Sequence, residues 1–217
     1  YAASVAFTNN QLKEQNADRI IFLGDFGYGF EPAFVSELDE VSSYTGLQIE
    51  WLPGNHENFD YLEKIDYDLG RRFTCHRTGD VIDLGDYRAL VIGGATSVDR
   101  PWRDKGSSWW PQESLTDEDI RKCVSIGEVD FILSHDAPWL PPMLDKNPGF
   151  HPIELAIGEL HRYKYRMILK YAKPTDIWHG HYHVSYDETY NVDGFDRVQV
   201  HGLDCEYTNG NTRLVRL

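Results

Sequence analysis

The sequence predicts an α/β fold with at least one mixed sheet, and three observations lead there. Short β-branched apolar runs, RIIFL, LQIEWL and VDFILS, alternate with segments of helical spacing over most of the chain. The runs are bounded by Gly, Asp and Asn, as buried strands are, and the last forty residues are rich in strand formers with few helix signals.

Taken in order, residues 1–17 read as an amphipathic helix with Tyr1, Val5 and Leu12 on one stripe. Arg19–Leu23 is a buried strand ending at Gly24-Asp25. Pro32 opens a helix with Val35, Leu38 and Val41 at helical spacing and Gly46 as its stop. Leu47–Leu52 is the next strand, and Phe59–Ile65 a short helix. VIDLGDYRALVIGG reads as a hairpin turning at Gly85-Asp86. Thr116 caps a helix, with Asp119 three residues on completing a capping box. Val129–Ser134 is a further buried strand, Glu154–Tyr171 a long helix and TDIWHG a strand. Two or three short antiparallel strands are expected in the tail. Ala95–Ser114 and Pro138–Pro152 are long irregular segments holding tryptophans, and are expected to wall a cleft. Trp109 and Trp110 are candidates for stacking on a base. His179 is expected to be a packed core residue.

The 217 residues fit one domain, 1–217, with a sizeable core. Lys and Arg number 21 against 35 Asp and Glu, a net charge of -14, which argues against long nucleic acid as a partner. A small phosphate ester remains compatible, because cations bound in a cleft would supply local positive charge. Cys75, Cys123 and Cys205 lack the close spacing of zinc or disulfide frameworks and read as reduced thiols. No apolar run approaches the roughly 18 residues of a membrane span, so a cytoplasmic protein with no membrane partner is expected. A monomer is the default.

The chemistry concentrates where predicted strands end. Four polar clusters follow such strands: Gly24-Asp25, Gly54-Asn55-His56-Glu57, Ser134-His135-Asp136 and Gly180-His181-Tyr182-His183. Ligands in open α/β sheets collect beyond the carboxyl ends of strands, so segments remote in sequence meet there. Singly, Gly-Asp is a turn and a strand-end His is a structural residue. Together they supply carboxylate, amide and imidazole donors without thiolate, a set suited to Mn, Fe, Ni or Zn and poor for Ca.

In order and type the clusters "GDFG", "GNHE", "SHDAP" and "GHYH" resemble the calcineurin-like metallophosphoesterase family. The resemblance implies a double β-sandwich of mixed sheets flanked by helices, with two divalent metal ions, Mn first among them. It makes Asp25 the carboxylate bridging both ions. Asn55, His135 and His181 complete one site, and His183 binds the other ion. His56 becomes the general acid for the leaving oxygen. The implied activity is hydrolysis of phosphodiesters, cyclic nucleotide or aryl, by attack of a metal-activated hydroxide. A phosphomonoesterase, or a catalytically weak metal-binding scaffold, is the alternative.

Three departures shape that expectation. The family's first motif, Asp-x-His, is absent, since no His or Asp precedes Asp18. Its strand is expected upstream of Tyr1, the alternative being a chain that holds one metal or none. Tyr28 and Gly29 stand where protein phosphatases of the family carry a second Asp and a phosphate-gripping Arg, so the partner of His56 is left open. Arg100 or Arg103 is the candidate replacement for substrate binding. The size fits the small, single-domain phosphodiesterases of the family.

Overall fold

A strand that is apolar on both faces must be covered on both sides. In Arg88–Ile92, Ala89 and Val91 belong to one apolar cluster, while Leu90 and Ile92 belong to another. In Phe131–Ser134 the split is Phe131 and Leu133 against Ile132. The computed structural model shows what covers each face. It describes residues 4–8, 17–27, 40, 42–43, 46–68, 73–144, 149–205, 208 and 210–216.

Two sheets pack face to face. The first has the order β11-β1-β2-β3-β4. Its strands are β1 (Ser4–Thr8), β2 (Arg19–Leu23), β3 (Gln48–Leu52), β4 (Thr74–Cys75) and β11 (Thr212–Arg216). The second runs β5-β6-β7-β8-β10-β9. It comprises β5 (Val81–Asp83), β6 (Arg88–Ile92), β7 (Phe131–Ser134), β8 (Asp176–His179), β9 (Tyr186–Val192) and β10 (Phe195–Gly202). Between them lies a core of Ile21, Leu23, Leu52, Val91, Leu133 and Trp178 with their neighbours. Outside the second sheet, α2 (Asp117–Ile126) and α3 (Pro152–Ala172) bury Cys123, Tyr165, Ile168 and Leu169 against Leu90, Ile132 and Ile177. Outside the first, α1 (Phe59–Lys64) sets Leu62 with Trp51, Phe26 and Phe73. Both sheets mix parallel and antiparallel pairs, as the predicted fold class requires.

Two expectations change. Residues 4–8 form a strand, not part of a helix, paired antiparallel with β2 and parallel with β11. SVAFT is rich in strand formers, and the offer of two ladder partners outweighs a loose helical stripe. This strand brings neither carboxylate nor imidazole to its neighbour β2. In the tail, β9 and β10 are an antiparallel hairpin, but β10 also runs parallel to β8, and β11 crosses to the other sheet. The helix expected from Pro32 lies mostly outside the described residues, within which Glu40, Ser42 and Ser43 are helical. His179 is fully buried, as a core residue should be. Among the described residues no helix is long and apolar enough to cross a membrane.

Candidate metal centre and active site

The parallel strands deliver their polar ends to one place. Leu23 of β2 is in register with Leu52 of β3, and Ser134 of β7 with His179 of β8. Asp25, Asn55, His135 and His181 follow those four strands, so two residues come from each sheet. The sheets are joined there directly: the His135 ring from one donates Nδ1–H to the carbonyl of Leu23 on the other, at 2.7 Å. The approach is close enough that a Cβ on Gly24 would collide with the His135 ring, and one on Gly54 with Asp25. Asp25, His181 and His183 have φ of 55°, 66° and 53°. A non-glycine residue in that region is strained by about 1–3 kcal/mol, and such strain gathers at functional sites.

The hydrogen bond to Leu23 decides the chemistry of His135. A carbonyl only accepts, so Nδ1 carries the proton and a neutral ring has its lone pair on Nε2. The other ring nitrogen, Nε2, faces Asn55 Oδ1 at 3.0 Å and Asp25 Oδ1 at 3.2 Å. Two oxygens converging on one nitrogen are satisfied by a proton on Nε2 or by a cation bound among them. Asn55 is turned this way by a chain of donors: its Nδ2 gives to Ser97 Oγ at 3.0 Å, and Ser97 Oγ gives to Glu113 at 2.7 Å. The Ser97 backbone N–H also donates to Glu113, at 2.7 Å. A buried carboxylate thus takes the hydroxyl proton, and Ser97 is left to accept the amide of Asn55, whose oxygen must face His135.

The neighbouring charges fit the same picture. Burial raises the pKa of Asp25, but the imidazoles of His135, His56 and His181 outweigh it and hold the carboxyl below its ordinary value. Burial, with His135 alongside, pushes His181 down to about 3, so its ring is neutral with a free lone pair. The two rings lie 4.9 Å apart between centroids. Glu57 is fully buried and binds three backbone N–H groups, those of Phe26 (2.5 Å), Gly27 (3.3 Å) and Gly54 (2.6 Å). It pins the loop of Asp25 to the loop of Asn55. Burial and the charge of Asp25 push its pKa up to about 8 against those donors.

A family model for calcineurin-like phosphoesterases matches residues 1–185. The chain belongs to that family. Its domain is therefore that of a phosphoester hydrolase, and divalent metals are the family's typical ligands. No curated protein matches the chain.

For a calcineurin-like phosphoesterase the donor set fits a hard divalent cation: one carboxylate, one amide oxygen and imidazole nitrogens. The carbonyl behind His135 and the Ser97-Glu113 pair behind Asn55 are the outer partners that fix such ligands. Among the described residues no three His, Cys, Asp or Glu side chains stand ready-made around one point. The convergence seen here counts an asparagine instead.

His56 is exposed, and its backbone N–H donates to Asp25 Oδ1 at 3.1 Å. Its partner is Arg103, whose Nη2 donates to His56 Nε2 at 3.1 Å while Nε holds Asp99 at 2.9 Å. Although the residue as a whole is exposed, partial desolvation of its ring in the cleft, reinforced by Arg103 and opposed by Asp25, keeps the pKa of His56 below its ordinary value. Arg100 is engaged elsewhere, paired with Glu154 at 2.6 Å and lying over the Trp109 ring at 5.6 Å. Trp110 is buried at 3 % exposure, so it has no face to offer a base. His183 is exposed. Ser97, Glu113 and Asp99 were not singled out by sequence. The only signal was that all three fall in the long segment expected to wall the cleft. Tyr28 and Gly29 lie outside the described residues.

Proposed function

We propose that this calcineurin-like phosphoesterase is a metal-dependent phosphodiesterase with two divalent ions, Mn being the first candidate. Asn55, His135 and His181 would hold one ion, His183 the other, with Asp25 shared. The observation that carries the metal reading is the convergence of His135 Nε2 with the oxygens of Asp25 and Asn55 at 3.2 and 3.0 Å, with Nδ1 committed to a carbonyl. Bound there, divalent ions supply Lewis-acid polarisation of phosphoryl oxygens and an acidified water.

The remaining chemistry falls to the chain. His56 stands beside Asp25 as the proposed proton donor to the leaving oxygen, a role in which the protonated ring would exchange its Nε2 contact with Arg103 for the ester oxygen. Arg103 brings a guanidinium to His56, and both arginines already have a carboxylate partner, Asp99 for Arg103 and Glu154 for Arg100. The diester preference is proposed from the likeness in size to the family's small phosphodiesterases. Thiols at Cys75 and Cys123 suit the cytoplasm, and a small phosphate ester acted on by a monomer is the proposed partner.

The test combines metal content with turnover. Protein saturated with Mn and desalted is measured by plasma mass spectrometry, then assayed on bis(p-nitrophenyl) phosphate and p-nitrophenyl phosphate. Two ions per chain and faster diester turnover are expected. Faster monoester turnover would favour a phosphomonoesterase. Bound metal without turnover of either ester would favour the scaffold reading, whose support is that β1, the neighbour of β2, adds no ligand.

A further inference from the structure

A cavity of ≈ 580 Å³ opens beside His181. Its size lies within the about 300–1,000 Å³ usual for pockets that enclose small organic ligands. Val98, Leu140, Leu144, Phe150 and Leu155 line it, and each is only partly buried. Their apolar surface therefore gains by being covered. Gly158 of α3 adds to the space: a Cβ there would stand 3.3 Å from Thr96 Oγ1 and 3.4 Å from an Arg162 nitrogen. Glycine in a helix interior costs about 0.5–1 kcal/mol relative to alanine, and here it leaves the wall bare.

The polar side of the cavity is held rigidly. Asp136, 2 % exposed, accepts from Tyr182 OH at 2.7 Å, and Tyr182 in turn accepts from Arg162 at 3.2 Å. Glu159 receives Arg162 Nε at 3.1 Å. Asp136 and Glu159 thus have their charges met, while the guanidinium has more N–H donors than these bonds use. An occupant would meet apolar walls, the Thr96 hydroxyl and the spare donors of Arg162. That suits a flat organic group with acceptor atoms on its edge, and it offers little to a small polyol.

The cavity's position assigns the group. His181 lines it, whereas His56, the proposed donor to the leaving oxygen, does not. We infer that the cavity binds the organic group retained on phosphorus, and that this group is an aromatic or nucleoside-sized substituent. The inference rests on the diesterase reading above and narrows it to diesters with a bulky retained group.

The test uses two diesters with one leaving group, the p-nitrophenyl ester of thymidine 5′-monophosphate and methyl p-nitrophenyl phosphate. Their binding to the metal-free protein is measured by calorimetry, and their hydrolysis is followed with Mn. The thymidine ester is expected to bind about tenfold tighter or more. Leu155→Trp, which fills the cavity, should remove that difference. Val98→Phe, on another element, repeats the test if the first variant fails to fold. Equal binding of both esters by the unaltered protein overturns the cavity assignment, and if both are hydrolysed the diesterase reading survives without it. A tenfold preference lost in the filled variants, with no hydrolysis of either ester, upholds the cavity and overturns the diesterase reading.

Discussion

His135 shows how a single hydrogen bond sets a residue's function. With Nδ1 given to Leu23, Nε2 is the atom left facing the oxygens of Asn55 and Asp25, the posture that the proposed ligand role requires. Ser97 does the same for Asn55, and that role is testable. Ser97→Ala should weaken Mn binding about 10–100-fold, the usual effect of losing an outer partner. Competition against a metal-sensitive dye reads this, and Ser97→Thr, which keeps the hydroxyl, should restore most of it. His56 is predicted to behave oppositely. His56→Ala should lower kcat by about 10²–10⁴-fold while metal content stays unchanged. Metal loss in that variant would put His56 among the ligands and end its assignment as the acid.

At the scale of elements, strand alternation and helix capping carry the stability that holds the site. Ile132 of β7 is fully buried against α2 and α3, one residue from Leu133 in the inter-sheet core. Ile132→Ala should cost about 2–5 kcal/mol, measured by urea unfolding, because β7 has no slack on either face. Thr116 caps α2 with a complete box, Asp119 N–H to Thr116 Oγ1 at 3.1 Å and Thr116 N–H to Asp119 at 2.8 Å. Thr116→Ala should cost only about 1 kcal/mol by the same measurement. This cap was legible because it is local, needing only residues three apart. Residues 4–8 carry no such local signal, because SVAFT satisfies two periods over so short a span. Pairing with β2 and β11 resolved it, and those partners lie elsewhere in the chain.

Across the whole molecule, His201 of β10 ties the second sheet together. It meets Asp176 of β8 at 3.0 Å and Asp187 of β9 at 2.5 Å, with its ring stacked on Trp178. Arg213 of β11 also reaches Asp187, at 3.0 Å. Burial lowers the pKa of His201, but its bonds to the two carboxylates outweigh that and leave it raised. A raised folded-state value means the imidazolium stabilises fully below the unfolded value of about 6.5. That contribution is lost as pH rises through the higher folded value. The stabilisation that His201 adds over a His201→Gln variant should therefore shrink between pH 6 and pH 9, read as the difference between their melting temperatures. A difference that stays constant with pH would overturn that role.

The sequence by itself determined the α/β class, most of the strands and the residues offered as ligands. Each of these is written locally, in apolar periods and in the Gly, Asp, Asn and His that end the strands. Only the tertiary structure decided which groups orient those ligands. Ser97 is 42 residues from Asn55, and Arg103 is 47 from His56. The cavity beside His181 likewise joins walls from Thr96 to Tyr182. No period or spacing relates such positions, because their meeting depends on how two sheets pack and where a long loop crosses the cleft. Residue type could propose a metal site; the direction of a ring nitrogen and the volume beside it come only from the fold.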